Sequence, residues 1–167
     1  MSAPAGDEGG VVPPVPLRMA IAVLALVGLF IAVYLTLHAL GLTGLAACTA
    51  GGGCERVQSS RFSAIAGVPV ALIGAIGYVA IFVVAWLGTT PRAAAADWVP
   101  WLLMFLGTIG FAFSAYLTAL EAWVIHAWCP YCITSAVVAT LIFLLSLGEL
   151  RTLRRQPREH LSRRPNR

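Results

Sequence analysis

Four stretches of this chain are each apolar for more than 20 residues: Leu17 to Leu40, Gly67 to Gly88, Trp98 to Leu120 and about Pro130 to Leu150. At about 1.5 Å of rise per residue, each is long enough as a helix to cross the ~30 Å hydrocarbon layer of a bilayer. Inside lipid every backbone polar group needs an internal partner, so spans of this kind are helical. The Gly, Ala and Ser residues scattered through them suit close helix packing in a membrane. The expected fold class is therefore an all-α integral membrane protein, a four-transmembrane-helix bundle in contact with the lipid bilayer. Composition agrees, with 59% hydrophobic and 11% charged residues against roughly a quarter charged in average proteins. That excludes a disordered chain, a nucleic-acid module and an ordinary soluble enzyme. The 167 residues make one membrane domain, expected at 17–150, between a Pro-, Gly- and Ala-rich disordered tail (1–16) and a basic tail (151–167).

The basic residues set an orientation. All 11 are arginines, and four spans leave both termini on one side. That side holds Arg18, Arg92, Arg151, Arg154, Arg155, Arg158, Arg163, Arg164 and Arg167. The other side holds Arg56 and Arg61. Nine against two places both termini in the cytoplasm, and the basic tail reads as a topology signal rather than a nucleic-acid arm. Leu45-Ala46-Ala47-Cys48 has the look of a lipoprotein cleavage site, but the apolar run before it exceeds the ~7–15 residues of a signal-peptide core.

All four cysteines then fall on the exoplasmic side or at its membrane boundary, where disulfides form and persist. Cys129-Pro130-Tyr131-Cys132 has the spacing of a redox pair. Pro130 suits the first position of the fourth helix, where a missing N–H costs nothing. Cys129 is then the cap, Cys132 lies in the first turn, and the positive helix end stabilises a thiolate on either sulfur. Cys48 and Cys54 are separated by five residues that include Gly51, Gly52 and Gly53, read here as forming no stable element and leaving that pair mobile, as a relay requires. Two other readings of the cysteines stay open: a structural disulfide, or a four-thiolate zinc site, although the loop pair lacks the usual spacing of a zinc half-site. Tyr34 and His38, four residues apart on one helix face, either line a pocket or anchor the span at the interface. Glu121, at the end of the third span, is a candidate for handling protons. Trp98, Trp101, Trp123 and Trp128 flank the spans as interfacial belt residues.

Taken in order, these features resemble the vitamin K epoxide reductase family in its bacterial branch. They are Tyr34 and His38; Cys48-x5-Cys54; Val57, Ser60 and Ser63; Gly67-Val68-Pro69, Gly74 and Tyr78; Tyr116-Leu117 and Glu121; and Cys129-x2-Cys132. The resemblance spans about Leu17 to Leu150. A second quinone-linked disulfide-forming family, of DsbB type, also has four spans and two cysteine pairs. Its C-x2-C lies early in the chain, whereas here it opens the last span.

The resemblance implies a membrane thiol:quinone oxidoreductase of the bacterial inner membrane that supports disulfide bond formation. Cys129 and Cys132 match the active-site pair, with Cys132 beside the ring of a quinone of menaquinone, ubiquinone or phylloquinone type. Cys48 and Cys54 match the loop shuttle, in which Cys48 exchanges with the partner and Cys54 links to Cys129. Ser60 matches a serine on the short exoplasmic helix that caps the quinone pocket. Many bacterial members carry a fused thioredoxin-like domain after a fifth span. The sequence ending at Arg167 leads us to expect a separate exported thioredoxin-fold oxidoreductase, DsbA-like, as the partner, with the membrane quinone pool as acceptor and no metal. The animal enzymes have a tyrosine four residues after the last cysteine, where this chain has Ala136. Their asparagine on the second span aligns near Val70. Both departures favour plain quinone reduction over epoxide reduction.

Overall fold

The computed structural model describes residues 15–42, 53–94, 96 and 98–162; Cys48, Gly51 and Gly52 lie outside the described residues. In chain order the elements are α1 (Val15–Ala39), α2 (Gly53–Gln58), β1 (Ala64–Ile65), β2 (Val68–Pro69), α3 (Val70–Leu87), α4 (Pro91–Ala94), α5 (Trp98–Leu120), a π-helical turn (Glu121–Ile125) and α6 (Pro130–Ser162). Helices α1, α3, α5 and α6 are the four membrane spans. The 25 residues of α1 give about 37 Å of helix and the 18 of α3 about 27 Å. Helix α1 packs on α3 and α6, and α5 packs on α6 and α3, so the four close into a ring.

Three boundaries differ from the sequence expectation. The second span begins at Val70 rather than Gly67, because residues 64–69 fold as a two-stranded hairpin with Ile65 opposite Val68. Its turn residues, Ala66 and Gly67, both have positive φ (51° and 82°), as a two-residue hairpin loop matching the twist of its strands requires. Pro69 then keeps its extended conformation and the helix starts after it. The third span runs past Leu120 through the π-helical turn, which ends at His126 in the left-handed region. Helix α6 continues to Ser162, beyond its apolar stretch, which ends at Thr152.

Small residues bring the helices together. Ala22, Ala25 and Ala32 of α1 and Ala75 and Ala85 of α3 are buried with Ile21, Tyr78, Ile81, Leu103 and Ile142. Gly28 lies against the ring of Tyr78, where even a methyl group would collide. The large side chains point outward instead. Phe30, Ile76 and Phe105 are each more than 60% exposed, an arrangement stable only with lipid around it. Hydroxyls within the spans fold back on their own helix: Thr36 donates to the Ala32 carbonyl at 2.7 Å and Ser146 to that of Ile142 at 2.8 Å.

Arg18 does not behave as a solvated topology residue. It is buried, and its Nε donates to Glu149 Oε1 at 2.6 Å while Nη1 donates to the Gly88 carbonyl at 2.7 Å. The start of α1 is thereby tied to the end of α3 and to α6, at the end of the bundle away from the cysteines. Gly88 is required there because a side chain would strike Val99 and Arg18.

Candidate active site

At the other end of the bundle, the chemistry is assembled from three elements. Helix α6 opens as the sequence anticipates: the Cys129 carbonyl accepts from the Ile133 N–H at 3.0 Å, with Pro130 as the first helical residue and Cys132 one turn in. Helix α2 lies across this opening and brings Cys54 to Cys129, with their sulfurs 3.5 Å apart. Both are almost completely buried, packed by Val57, Tyr131 and Cys132. The third element is the π-helical turn after α5. Its extra residue per turn and the left-handed His126 lead the chain back so that the buried Glu121 carboxylate accepts the Cys129 N–H at 3.1 Å. The same carboxylate neighbours the Cys132 thiol on the cavity wall.

The two thiols of the pair are not equivalent. A hydrogen bond from the Cys132 side chain is the main cause that lowers Cys129 from the ordinary thiol value of 9.0 to about 6. Burial and the nearby Glu121 charge oppose the shift, while the Cys132 backbone and the Cys54 side chain add to it. At neutral pH Cys129 is therefore a thiolate, the form that attacks a disulfide, and it faces Cys54. As the pH falls through about 6, this sulfur takes up a proton and exchange slows.

Of the loop pair and its glycines, Gly53 and Cys54 are among the described residues, and both belong to a helix. Gly53 opens α2, and Cys54 is fixed and buried in it. The glycine serves close approach: a Cβ at position 53 would collide with the Trp128 carbonyl oxygen. Gly53→Ala is thus expected to lift α2 from the connection before Cys129 and to slow Cys54–Cys129 disulfide formation by about tenfold or more. Following that disulfide by non-reducing mass spectrometry during oxidation checks this, and an unchanged rate refutes it. Cys48, the other half of the loop pair, lies outside the described residues.

A cavity of about 480 Å³ runs from under α2 into the bundle between α3, α5 and α6. Its walls are mostly apolar, from residues such as Leu35, Ile81, Phe113 and Leu117, with Ser60, Tyr78, Glu121, Cys132 and Ser135 as polar points. Ser60 lies just after α2 rather than within it, lines the cavity, and donates its hydroxyl to the Val57 carbonyl at 2.7 Å. Gln58 pins α2 to α1 through the Leu35 carbonyl at 3.5 Å. Tyr34 and His38 are not among the residues that line the cavity. Tyr34 packs on Tyr131, ring centroids 5.2 Å apart, behind the cysteine pair. His38 is half-buried and its Nδ1 has no hydrogen-bond partner among the described residues. Also among the described residues, no three His, Cys, Asp or Glu side chains converge as metal ligands.

Sequence reasoning named Tyr78 only within the family pattern and did not name Ser135, with which it forms a polar pair on this wall. Tyr78 Oη lies 2.9 Å from both the carbonyl and the hydroxyl oxygen of Ser135. A signal was present, since Cys132, Ser135, Ala136 and Ala139 recur at the spacing of one helix face, and all four line the cavity.

A thiol pair at the wall of an apolar cavity, inside a four-helix membrane bundle, defines a membrane-embedded oxidoreductase. The model of the Vitamin K epoxide reductase family matches residues 19–147, and the chain belongs to that family. Membership carries redox chemistry in the membrane that links a thiol partner to a quinone.

Proposed function

We propose that this protein is a thiol:quinone oxidoreductase of the bacterial inner membrane that oxidises an exported thioredoxin-fold protein and so drives disulfide bond formation. The observation that carries this reading is the continuity of sulfur from the outer loop to the cavity: Cys54 is 3.5 Å from Cys129, and Cys132, one turn further, is on the cavity wall. Cys48 would exchange with the partner's dithiol and pass its electrons to Cys54. The Cys54 thiolate then attacks the Cys129–Cys132 disulfide at Cys129, releasing Cys132, and Cys48 displaces Cys129 to re-form the Cys48–Cys54 disulfide, so that the two electrons come to rest on the Cys129/Cys132 dithiol. A quinone supplies the two-electron sink at the end of this relay.

The cavity suits such a head group. Its volume is within the ~300–1,000 Å³ usual for small-molecule sites, and apolar walls with a few placed polar groups are typical of them. Ser60 and the Tyr78–Ser135 pair are the groups that would orient carbonyl oxygens. Val70 and Ala136 both line the cavity and offer no side-chain hydrogen bond, which supports quinone rather than epoxide reduction. The excess of arginines on the side of the termini, with Arg92 and those of the tail against Arg56 and Arg61, supports cytoplasmic termini and exoplasmic cysteines.

A reduced, purified thioredoxin-fold protein added to right-side-out vesicles holding this protein and menaquinone should be oxidised in step with quinol formation. Inside-out vesicles should oxidise it only after permeabilisation. Partner oxidation without quinol, or equal rates on both sides, would overturn the relay or its orientation respectively.

A further inference from the structure

Glu121 is an acidic group where a membrane protein tolerates few: it is 3% exposed, and among the described residues no arginine or histidine pairs with it. An ionisable side chain within a span is costly and is retained for function. What surrounds it here is the cysteine pair itself. One oxygen takes the Cys129 N–H at 3.1 Å, an orphan donor at the positive end of α6, and the carboxylate shares the cavity wall with the Cys132 thiol, which is close enough to act on it. It is also the carboxylate among the described residues that line the cavity. The titratable groups facing it are Cys129 and Cys132 from the start of α6, with Cys54 behind Cys129 on α2. The π-helical turn that starts at Glu121, with the left-handed His126 that ends it, leads the chain back so that the Cys129 N–H meets this carboxylate.

We propose that Glu121 is a further catalytic residue, whose carboxylate receives the Cys132 proton when Cys132 closes the disulfide with Cys129. The inference rests on the thiol:quinone reading above. In the step, an S–S bond forms between Cys129 and Cys132 and the Cys132 S–H bond breaks. Its proton goes to Glu121, and the two electrons leave to the quinone acceptor. Glu121 then releases the proton to the reduced acceptor. The second proton that quinol formation needs is the equivalent of the one Cys129 gave to water on becoming a thiolate. Glu121 is the carboxylate on this mostly apolar wall beside Cys132, and a positioned general base of this kind speeds proton transfer by about a hundredfold or more.

Two measurements on a protein whose single cysteine is Cys132 test this without any quinone. First, the infrared S–H stretching band of Cys132 should lie at the lower frequency of a thiol donating to a carboxylate, and should move to higher frequency in Glu121→Gln. A band at the position of an unbonded thiol in the unsubstituted protein overturns the proposal, whether or not the variant folds. Second, N-ethylmaleimide at mildly alkaline pH should modify Cys132 at least about tenfold faster in Glu121→Gln, because the carboxylate holds the thiol proton in place, with Glu121→Asp returning toward the original rate. Glutamine keeps the shape and the bond to the Cys129 N–H, so a merely structural glutamate predicts no change, and no change refutes the inference. In the four-cysteine protein, Glu121→Gln should lower kcat for quinol formation by on the order of a hundredfold while KM for the thiol partner stays the same. If the chain reduces no quinone at all, the first two readouts still judge Glu121. If quinone reduction stands but they show nothing, the inference alone fails.

Discussion

Replacing Cys132 with serine is expected to stop quinone reduction and to leave Cys54 and Cys129 joined. The Cys129 sulfur lies 3.5 Å from Cys54 and is held as the thiolate by its neighbour, with a pKa near 6. Exchange passes through a mixed disulfide, which is released only when a second thiol attacks it. Cys132 is the thiol placed to do that, and the one on the cavity wall. Serine keeps a hydroxyl near Cys129 but cannot form the S–S bond, so turnover should fall by at least about a thousandfold, the scale on which losing a covalent nucleophile acts. Quinol absorbance measures the loss. Peptide mapping without reductant should find a Cys54–Cys129 crosslink tying α2 to the start of α6, in a chain that stays monomeric. Residual turnover above that limit, or Cys129 recovered as a free thiol, would remove Cys132 from the relay.

Removing either partner of the buried ion pair at the opposite end should cost about 3–5 kcal/mol of stability, because the remaining charge is left without compensation. Arg18 and Glu149 are both essentially unexposed, and their bond is 2.6 Å long. Arg18→Met leaves a buried carboxylate and deprives the Gly88 carbonyl of its donor. Glu149→Leu takes the carboxylate partner away from the buried Arg18 guanidinium. The double variant Arg18→Met with Glu149→Leu should recover most of the loss, since apolar replacement of a whole buried pair is near neutral or better. Denaturant unfolding in detergent, followed by tryptophan fluorescence, gives the three values. Additive losses in the double variant would contradict the pairing. Cysteine chemistry in whichever single variants fold should be preserved, as the pair is at the far end of the bundle from Cys129.

The two ends of the molecule explain why some of it was legible in the chain and some was not. Four uninterrupted apolar runs admit no alternative to membrane helices, because unpaired backbone in lipid is prohibitively costly. The frame therefore followed from composition along the chain. The opening of α6 was equally local: Pro130 fits only the first helical position, which fixed Cys129 as cap and Cys132 in the first turn. Ser60, on the wall under α2, was reached through the family pattern rather than from any local rule.

What the sequence left open are contacts between residues far apart in the chain. Arg18 counted as one more basic residue on a topology tally until packing brought it to Glu149, 131 positions away. Three consecutive glycines suggested mobility, yet Gly53 is needed because α2 touches the backbone of Trp128. A glycine chosen for close approach looks the same in sequence as one chosen for freedom. Which cysteine is the thiolate depended on hydrogen bonds among Cys54, Cys129 and Cys132, and the π-helical turn that starts at Glu121 brings Cys129 back to that carboxylate. Periodicity and capping are properties of neighbouring residues, so the chain alone determined the helices and the placement of the redox pair. The thiolate, the partner sulfur and the cavity depend on distances across the bundle, so tertiary packing decided them.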